Sequence, residues 1–295
     1  MAGLAKLAGL GIEAKPGAVV FEAHRPSAWP AEGSLLLDHL PLRVRALDAA
    51  GKRIPAGRVA FDAFCAVGYA AGKPRLWRAE AFATAHPANW SAFLSALAGE
   101  PKRVVCDAHG GMLQAIAERW PQAELHQCEW HLQHALDRLL AKEARSGSGA
   151  ELDELRARAE GALTGPAGWR PFVRAARAVS NESLDRWIAV NGPTIEAQFA
   201  CRPPPSRRPV DMPLTTAALE QVARPIVTAL YPRRYGLKNR ARLNRLLMLL
   251  QLHVNGDDDV QRHATTIRRW LEGNGGRPIA RRRAIADPLG SPALR

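Results

Sequence analysis

The chain predicts an α/β fold built on a mixed β-sheet. Residues 103–131, RVVCDAHGGMLQAIAERWPQAELHQCEWH, predict it most directly, because they read as strand, carboxylate, helix, strand, helix. Val104, Val105 and Cys106 favour a strand that runs into Asp107. Gly110-Gly111 then opens an apolar-periodic helix (Met112, Leu113, Ile116, Ala117), and a short strand at 124–127 leads to Cys128-Glu129-Trp130-His131. Such a βαβ unit makes its strands parallel neighbours with a right-handed crossover. Upstream, three β-rich runs separated by Gly-containing turns predict an antiparallel meander.

In chain order, residues 1–33 are rich in Ala, Gly and Pro and read as a lead-in. Leu35-Leu36-Leu37 is a continuous apolar run that ends in Asp38, with alternation following at Leu42, Val44 and Leu47. The turn Ala49-Ala50-Gly51-Lys52 separates it from a second strand at 58–69, and Ala71-Gly72-Lys73-Pro74 precedes a third at 76–84. Trp90, Phe93, Leu94 and Leu97 then fall at i, i+3, i+4, i+7, one apolar helix face. After the helix expected at 130–145, Ser146-Gly147-Ser148-Gly149 predicts a flexible break. Residues 150–191 read as several helices, closed by Gly192-Pro193-Thr194 and Arg202-Pro203-Pro204-Pro205. A helix at 214–230, opened by Thr215 or Thr216, carries Glu220. Another at 237–250 sets Leu243, Leu246, Leu247 and Leu250 on one side and Lys238, Arg242 and Arg245 on another. A short helix is expected near Trp270 before a disordered end.

The order β-β-β-α-β-α-β-α is the ribonuclease-H-like layout, a mixed sheet whose first and fourth strands run parallel side by side. Ligands of such sheets sit beyond the carboxyl ends of the strands. Asp38 ends the apolar part of strand one and Asp107 ends strand four, and neighbouring strands lie about 4.8 Å apart. Two carboxylates so placed, with Glu220 from a later helix, can hold two divalent cations for attack on a phosphodiester. Carboxylate oxygens suit Mg²⁺ or Mn²⁺. Singly, each acid has a plainer reading: Asp38 as an Asx-turn starter, Asp107 as a helix cap, Glu220 as a surface partner of Arg224. Asp48 and Asp62 are rival first acids, and Glu196 is the rival to Glu220.

The formal charge is +13, and residues 201–295 hold 18 Lys and Arg against 7 Asp and Glu. Excess positive charge concentrated in one third of the chain suits a phosphate-rich partner, although a general preference for Arg would also produce it. Four cysteines without a Cys-x-x-Cys pair argue against a disulfide framework and for a reducing cytosol. No apolar run approaches the ~20 residues of a membrane span, so a cytoplasmic, membrane-free protein is expected.

Residues 34–256 resemble the Mutator-like superfamily of bacterial insertion-sequence transposases. The resemblance runs through LLLDHLPLRVR, VAFDAFCAVGY, WSAFLSAL, VVCDAHGGMLQAI, HQCEWHL with its Cys128-x-x-His131 signature, TTAALEQVARPI and RRYGLKNRARLNRLLMLL. It maps the family's three acids onto Asp38, Asp107 and Glu220. The 113-residue separation of the last two leaves room for an all-helical insertion. The implied organisation is a lead-in at 1–33, the first part of the core at 34–145, the insertion at 146–212, the last core helices at 213–255 and a basic tail at 256–295.

The resemblance implies metal-dependent cleavage and strand transfer at insertion-sequence ends. It implies two Mg²⁺ or Mn²⁺ ions, double-stranded DNA (element ends and target) as partner, and a homo-oligomer on DNA. His131 is then expected near the acids, assisting at the scissile phosphate, with Cys128 as core packing; zinc held with His126 or His134 is the other reading of that signature. Arg233, Arg234, Lys238, Arg242 and Arg245 would grip the DNA backbone or form an ordinary solvated face. Trp169 or Trp187 would stack on an unpaired base or sit in a core. The chain departs from the family at His39, where a small residue is common, and begins almost at strand one, so an N-terminally truncated member is expected. A non-catalytic DNA-binding remnant and a ribonuclease-H-like nuclease are the alternatives.

Overall fold

The computed structural model describes residues 33–44, 46–47, 49–54, 57–70, 72–107, 109–145, 150–203, 205–207, 212–230 and 239–273. Those up to Asn255 belong to one compact unit; the residues from Gly256 on belong to a second. The first unit is a mixed α/β structure. It contains strands β1 (Ser34–Val44), β2 (Arg58–Ala70), β3 (Lys73–Phe82), β4 (Arg103–Cys106) and β5 (Glu124–Gln127). Its helices are α1 (Pro87–Ser95), α2 (Gly110–Arg119), α3 (Glu129–Arg145), α4 (Ala150–Ala159), α5 (Pro166–Val179), α6 (Glu182–Cys201), α7 (Ala217–Leu230) and α8 (Arg240–Val254). Within the second unit, α9 spans Val260–Gly273, and Asp259 accepts the N–H of Arg262 at its start.

The sheet order is β3-β2-β1-β4-β5. β1 pairs antiparallel with β2 and parallel with β4, while β4 and β5 are parallel. The triple-leucine run is apolar throughout because both sheet faces are covered. Leu36, Cys65, Val67 and Val105 meet Leu219, Ala223 and Ile226 of α7 and Leu243, Leu247 and Leu250 of α8. Leu35, Leu37, Phe64, Val104 and Cys106 face Trp90, Phe93 and Leu94 of α1 and Met112 and Ile116 of α2. A separate helical core joins Leu132, Leu136 and Leu140 of α3 to Leu155, Trp169, Phe172, Leu184, Ile188 and Ile195 of α4, α5 and α6.

Unpaired sheet edges expose backbone donors and acceptors, and amide side chains cover both edges. On β3, Asn255 bonds both the N–H and the C=O of Leu76. Gln251 accepts from Ala79 N–H and donates to Trp77 C=O, and Asn244 pairs with Ala81 in both directions. Eleven residues of helix and five of strand each advance roughly 16 Å, so the ladder stays in register. On β5, Gln198 of α6 accepts the Gln127 N–H and donates to its C=O, each at 3.1 Å.

Several sequence expectations are corrected. The two acids are not at matching strand ends: β1 runs through Asp38, opposite Cys65, to Val44, and only Asp107 follows the end of its strand. β3 begins at Lys73, not Leu76, because Lys73 already pairs with Ala70 and the turn shrinks to two residues, with Gly72 at φ 74°. Gly192-Pro193-Thr194 does not end a helix: α6 runs through it, with Gly192 lying against the Trp169 ring, where packing outweighs the hydrogen bond lost at Pro193. The helix expected from 237 starts at Arg240, capped by the Asn239 side chain, and runs on to Val254. The 1–32 lead-in, Asp48, the Ser146 to Gly149 break, Arg233, Arg234, Lys238 and the tail beyond 273 lie outside the described residues.

Candidate metal centre

The parallel register of β1 and β4 pairs Leu37 with Cys106, so Asp38 and Asp107 are the next residues on adjacent strands. Strand alternation sends Asp38 to the α7/α8 face with Leu36 and Leu40. It is 8% exposed. Burial pushes its carboxyl above the ordinary value, opposed by the His39 N–H and by the charges of His131 and His39; the Asp107 charge adds to the rise. Oδ1 accepts the His39 N–H at 2.7 Å. His39 itself turns to the opposite face, edge-on to Phe64 and Trp90, with only its Nδ1 reaching 4.0 Å from Asp38 Oδ1.

His131 stands in the first turn of α3, which follows β5 after Cys128 alone. The Cys128 N–H donates to Cys106 C=O at 2.7 Å, tying this turn to the end of β4. Cys128 is 1% exposed. Its Sγ accepts the Thr216 N–H at 3.3 Å and lies 3.5 Å from Thr216 Oγ1. Glu129 N–H adds a bond to Leu214 C=O at 3.1 Å. These contacts fix the approach to α7, whose first turn carries Glu220.

The Cys128 sulfur raises the His131 pKa from 6.5 to about 9; burial opposes this, and the charges of Asp107, Cys128 and Asp38 reinforce it. Burial pushes the Cys128 thiol up, yet hydrogen bonding with His131 and Thr216 outweighs it and leaves its pKa below the ordinary value.

Asp38, His131 and Glu220 converge: one ligand atom from each lies within 4.8 Å of the other two. Asp38 is buried, His131 half-buried and Glu220 exposed, so the cluster opens to solvent on the Glu220 side. Asp107 is not part of that cluster, although it is next in register and its charge is felt by both Asp38 and His131. The donor set fits a divalent cation, since a buried carboxylate disfavoured in its charged form gains from a positive partner.

The other sequence candidates lie apart. Asp62 pairs with Pro41 and Phe82, three residues along the strand from the level of Asp38. Glu196 accepts Trp169 Nε1 at 3.0 Å within the helical core. Trp169 is 1% exposed and Trp187 packs beside it, so Trp169 offers no stacking face. The zinc reading loses its extra ligands: His126 bonds Gln198 and lies 3.5 Å from the Glu129 carboxylate, and His134 stacks on Trp130. Arg242 and Arg245 are exposed on α8. Sequence reading overlooked Thr216 as a partner of Cys128, and no periodicity or spacing would have found it.

Among the described residues, no helix is long and apolar enough to cross a membrane. Comparison of the sequence with known protein families and with curated proteins finds no match to either.

Proposed function

We propose that this chain is a metal-dependent enzyme that cuts DNA and transfers the cut strand, on a ribonuclease-H-like core of the kind used by Mutator-like transposases. The observation that carries the reading is the convergence of Asp38, His131 and Glu220 from β1, α3 and α7 within 4.8 Å. The sheet order β3-β2-β1-β4-β5, with β2 alone antiparallel to β1 among the central strands, supports the fold assignment. The helical core carried between β5 and α7 supports an insertion of the transposase type.

In this reading Asp38 and Asp107 would hold divalent ions, and Glu220 would complete the donor set from α7. The ions supply activation of a water or a 3′-hydroxyl and stabilise the leaving oxygen. The protein's own contribution is placement. β1 and β4 fix Asp38 and Asp107 at neighbouring backbone positions on adjacent strands, and the Cys128–Thr216 bond holds the first turn of α7 against the first turn of α3. Exposed Arg242 and Arg245 on α8 would contact phosphates without reading sequence.

Incubation with a pre-cut oligonucleotide duplex, a target plasmid and Mn²⁺ tests the reading. Joined product is expected, and Asp107→Ala should abolish it while DNA binding persists. Cleavage without joining would point to a nuclease. Binding with neither reaction would leave a non-catalytic remnant and overturn the proposal.

A further inference from the structure

We infer that His131 is itself a metal ligand, so that one ion site of this chain is nitrogen-bearing and selects Mn²⁺ over Mg²⁺. This rests on the function proposed above and deepens it by naming the ion. A ring nitrogen of His131 and one carboxylate oxygen each of Asp38 and Glu220 all lie within 4.8 Å of one another. Three donors spread evenly around one ion with bonds of about 2.1 Å stand roughly 3.6 Å apart. Donors up to 4.8 Å apart therefore reach it by side-chain movements of roughly 0.7 Å each.

The backbone fixes this arrangement. His131 sits in the first turn of α3 and Glu220 in the first turn of α7, and Cys128 joins those turns through the Thr216 N–H at 3.3 Å. Glu129 N–H to Leu214 C=O, at 3.1 Å, is a second tie. A residue serving only a distant phosphate would not need its ring held within 4.8 Å of two carboxylates. The chemistry of two carboxylates and one imidazole then decides selectivity. Mg²⁺ takes oxygen donors and dehydrates reluctantly, whereas Mn²⁺, a first-row transition ion, binds the same carboxylates and gives up water to an imidazole more readily.

The test is direct binding of Mn²⁺ to the metal-free full chain, read by pulsed electron paramagnetic resonance. Nitrogen-14 modulation from one imidazole is expected on the bound ion, and it should vanish in His131→Gln. In the same variant the Mn²⁺ affinity should fall roughly tenfold or more, while competition by Mg²⁺ changes far less, so the selectivity ratio collapses. Bound Mn²⁺ without nitrogen coupling overturns the inference and leaves an all-carboxylate centre standing. Absence of any Mn²⁺ binding overturns both the inference and the proposed function. The wild-type spectrum decides between these outcomes even if the variant fails to fold.

Discussion

The sulfur of Cys128 accepts the backbone N–H of Thr216 at 3.3 Å, joining residues 88 positions apart in sequence. Cys128 is therefore more than filler at the end of β5. Removing it strands a buried N–H, which costs about 1–3 kcal/mol, and frees the first turn of α7. Cys128→Ala should lower stability by that amount in denaturant unfolding and weaken divalent-cation affinity, because Glu220 loses its fixed distance from Asp38. Cys128→Ser keeps an acceptor and should lose less of both. Unchanged cation affinity in Cys128→Ala would show that α7 is positioned without it.

His131 gives a second prediction, read on metal-free protein. Its folded pKa is raised from 6.5 to about 9, so the folded state holds the proton more tightly than the unfolded chain. Its stabilising contribution is complete below the unfolded pKa and fades as pH rises through about 9. The stability advantage of wild type over His131→Gln should thus be largest in mildly acidic buffer and shrink progressively into the alkaline range. A constant advantage across that window would mean the imidazolium is not the stabilising form.

The elements of the sheet were legible in the sequence for simple reasons. Leu35-Leu36-Leu37 is apolar on both faces because both are covered, and the βαβ spacing around Asp107 forced parallel strands. The nearness of His131 to Asp38 and Glu220 follows from the resemblance but from no local pattern, because it depends on the tie of Cys128 to Thr216. Gly192-Pro193-Thr194 read as a helix end, yet Gly192 seats against Trp169 and the helix continues. Asn244, Gln251 and Asn255 gave no signal either. Amides on a helix usually read as solvent-facing, and only the third dimension shows them pairing with a strand edge.

Asp38 gives a third prediction, with opposite signs for fold and function. Burial raises its pKa, so the ionised carboxylate is disfavoured in the folded state and its contribution worsens as pH rises above the unfolded value. Asp38→Asn should therefore raise the neutral-pH Tm of metal-free protein. It should also abolish the stabilisation that cation confers, which for a bound ion at 100 times its Kd is about 2.7 kcal/mol. Thermal unfolding of both proteins with and without Mn²⁺ checks this, and an Asp38→Asn variant still stabilised by Mn²⁺ would remove Asp38 from the centre.

Gln251 tests the edge-covering ladder independently of any metal. It is 4% exposed and satisfies both the Ala79 N–H and the Trp77 C=O. Gln251→Leu fits a helix but leaves two backbone groups of β3 without partners, at about 1–3 kcal/mol for each that water cannot reach. Denaturant midpoints should fall accordingly with little change in helix content. Gln251→Glu should also be poor, since a carboxylate cannot donate to Trp77 C=O.

Arg242 and Arg245 test the proposed DNA contact apart from the metal centre. Both are exposed on α8, so the double replacement by Gln should leave stability within about 0.5 kcal/mol of wild type. If each contacts one phosphate, each releases close to one counterion on binding, and the slope of log affinity against log salt should become shallower by about 0.9 per arginine. The loss should be the same for any duplex sequence, because phosphate contacts carry no base information. The substitution touches no cluster residue, so Mn²⁺ affinity should be unchanged. A slope identical to that of wild type would place the DNA on another face of the molecule.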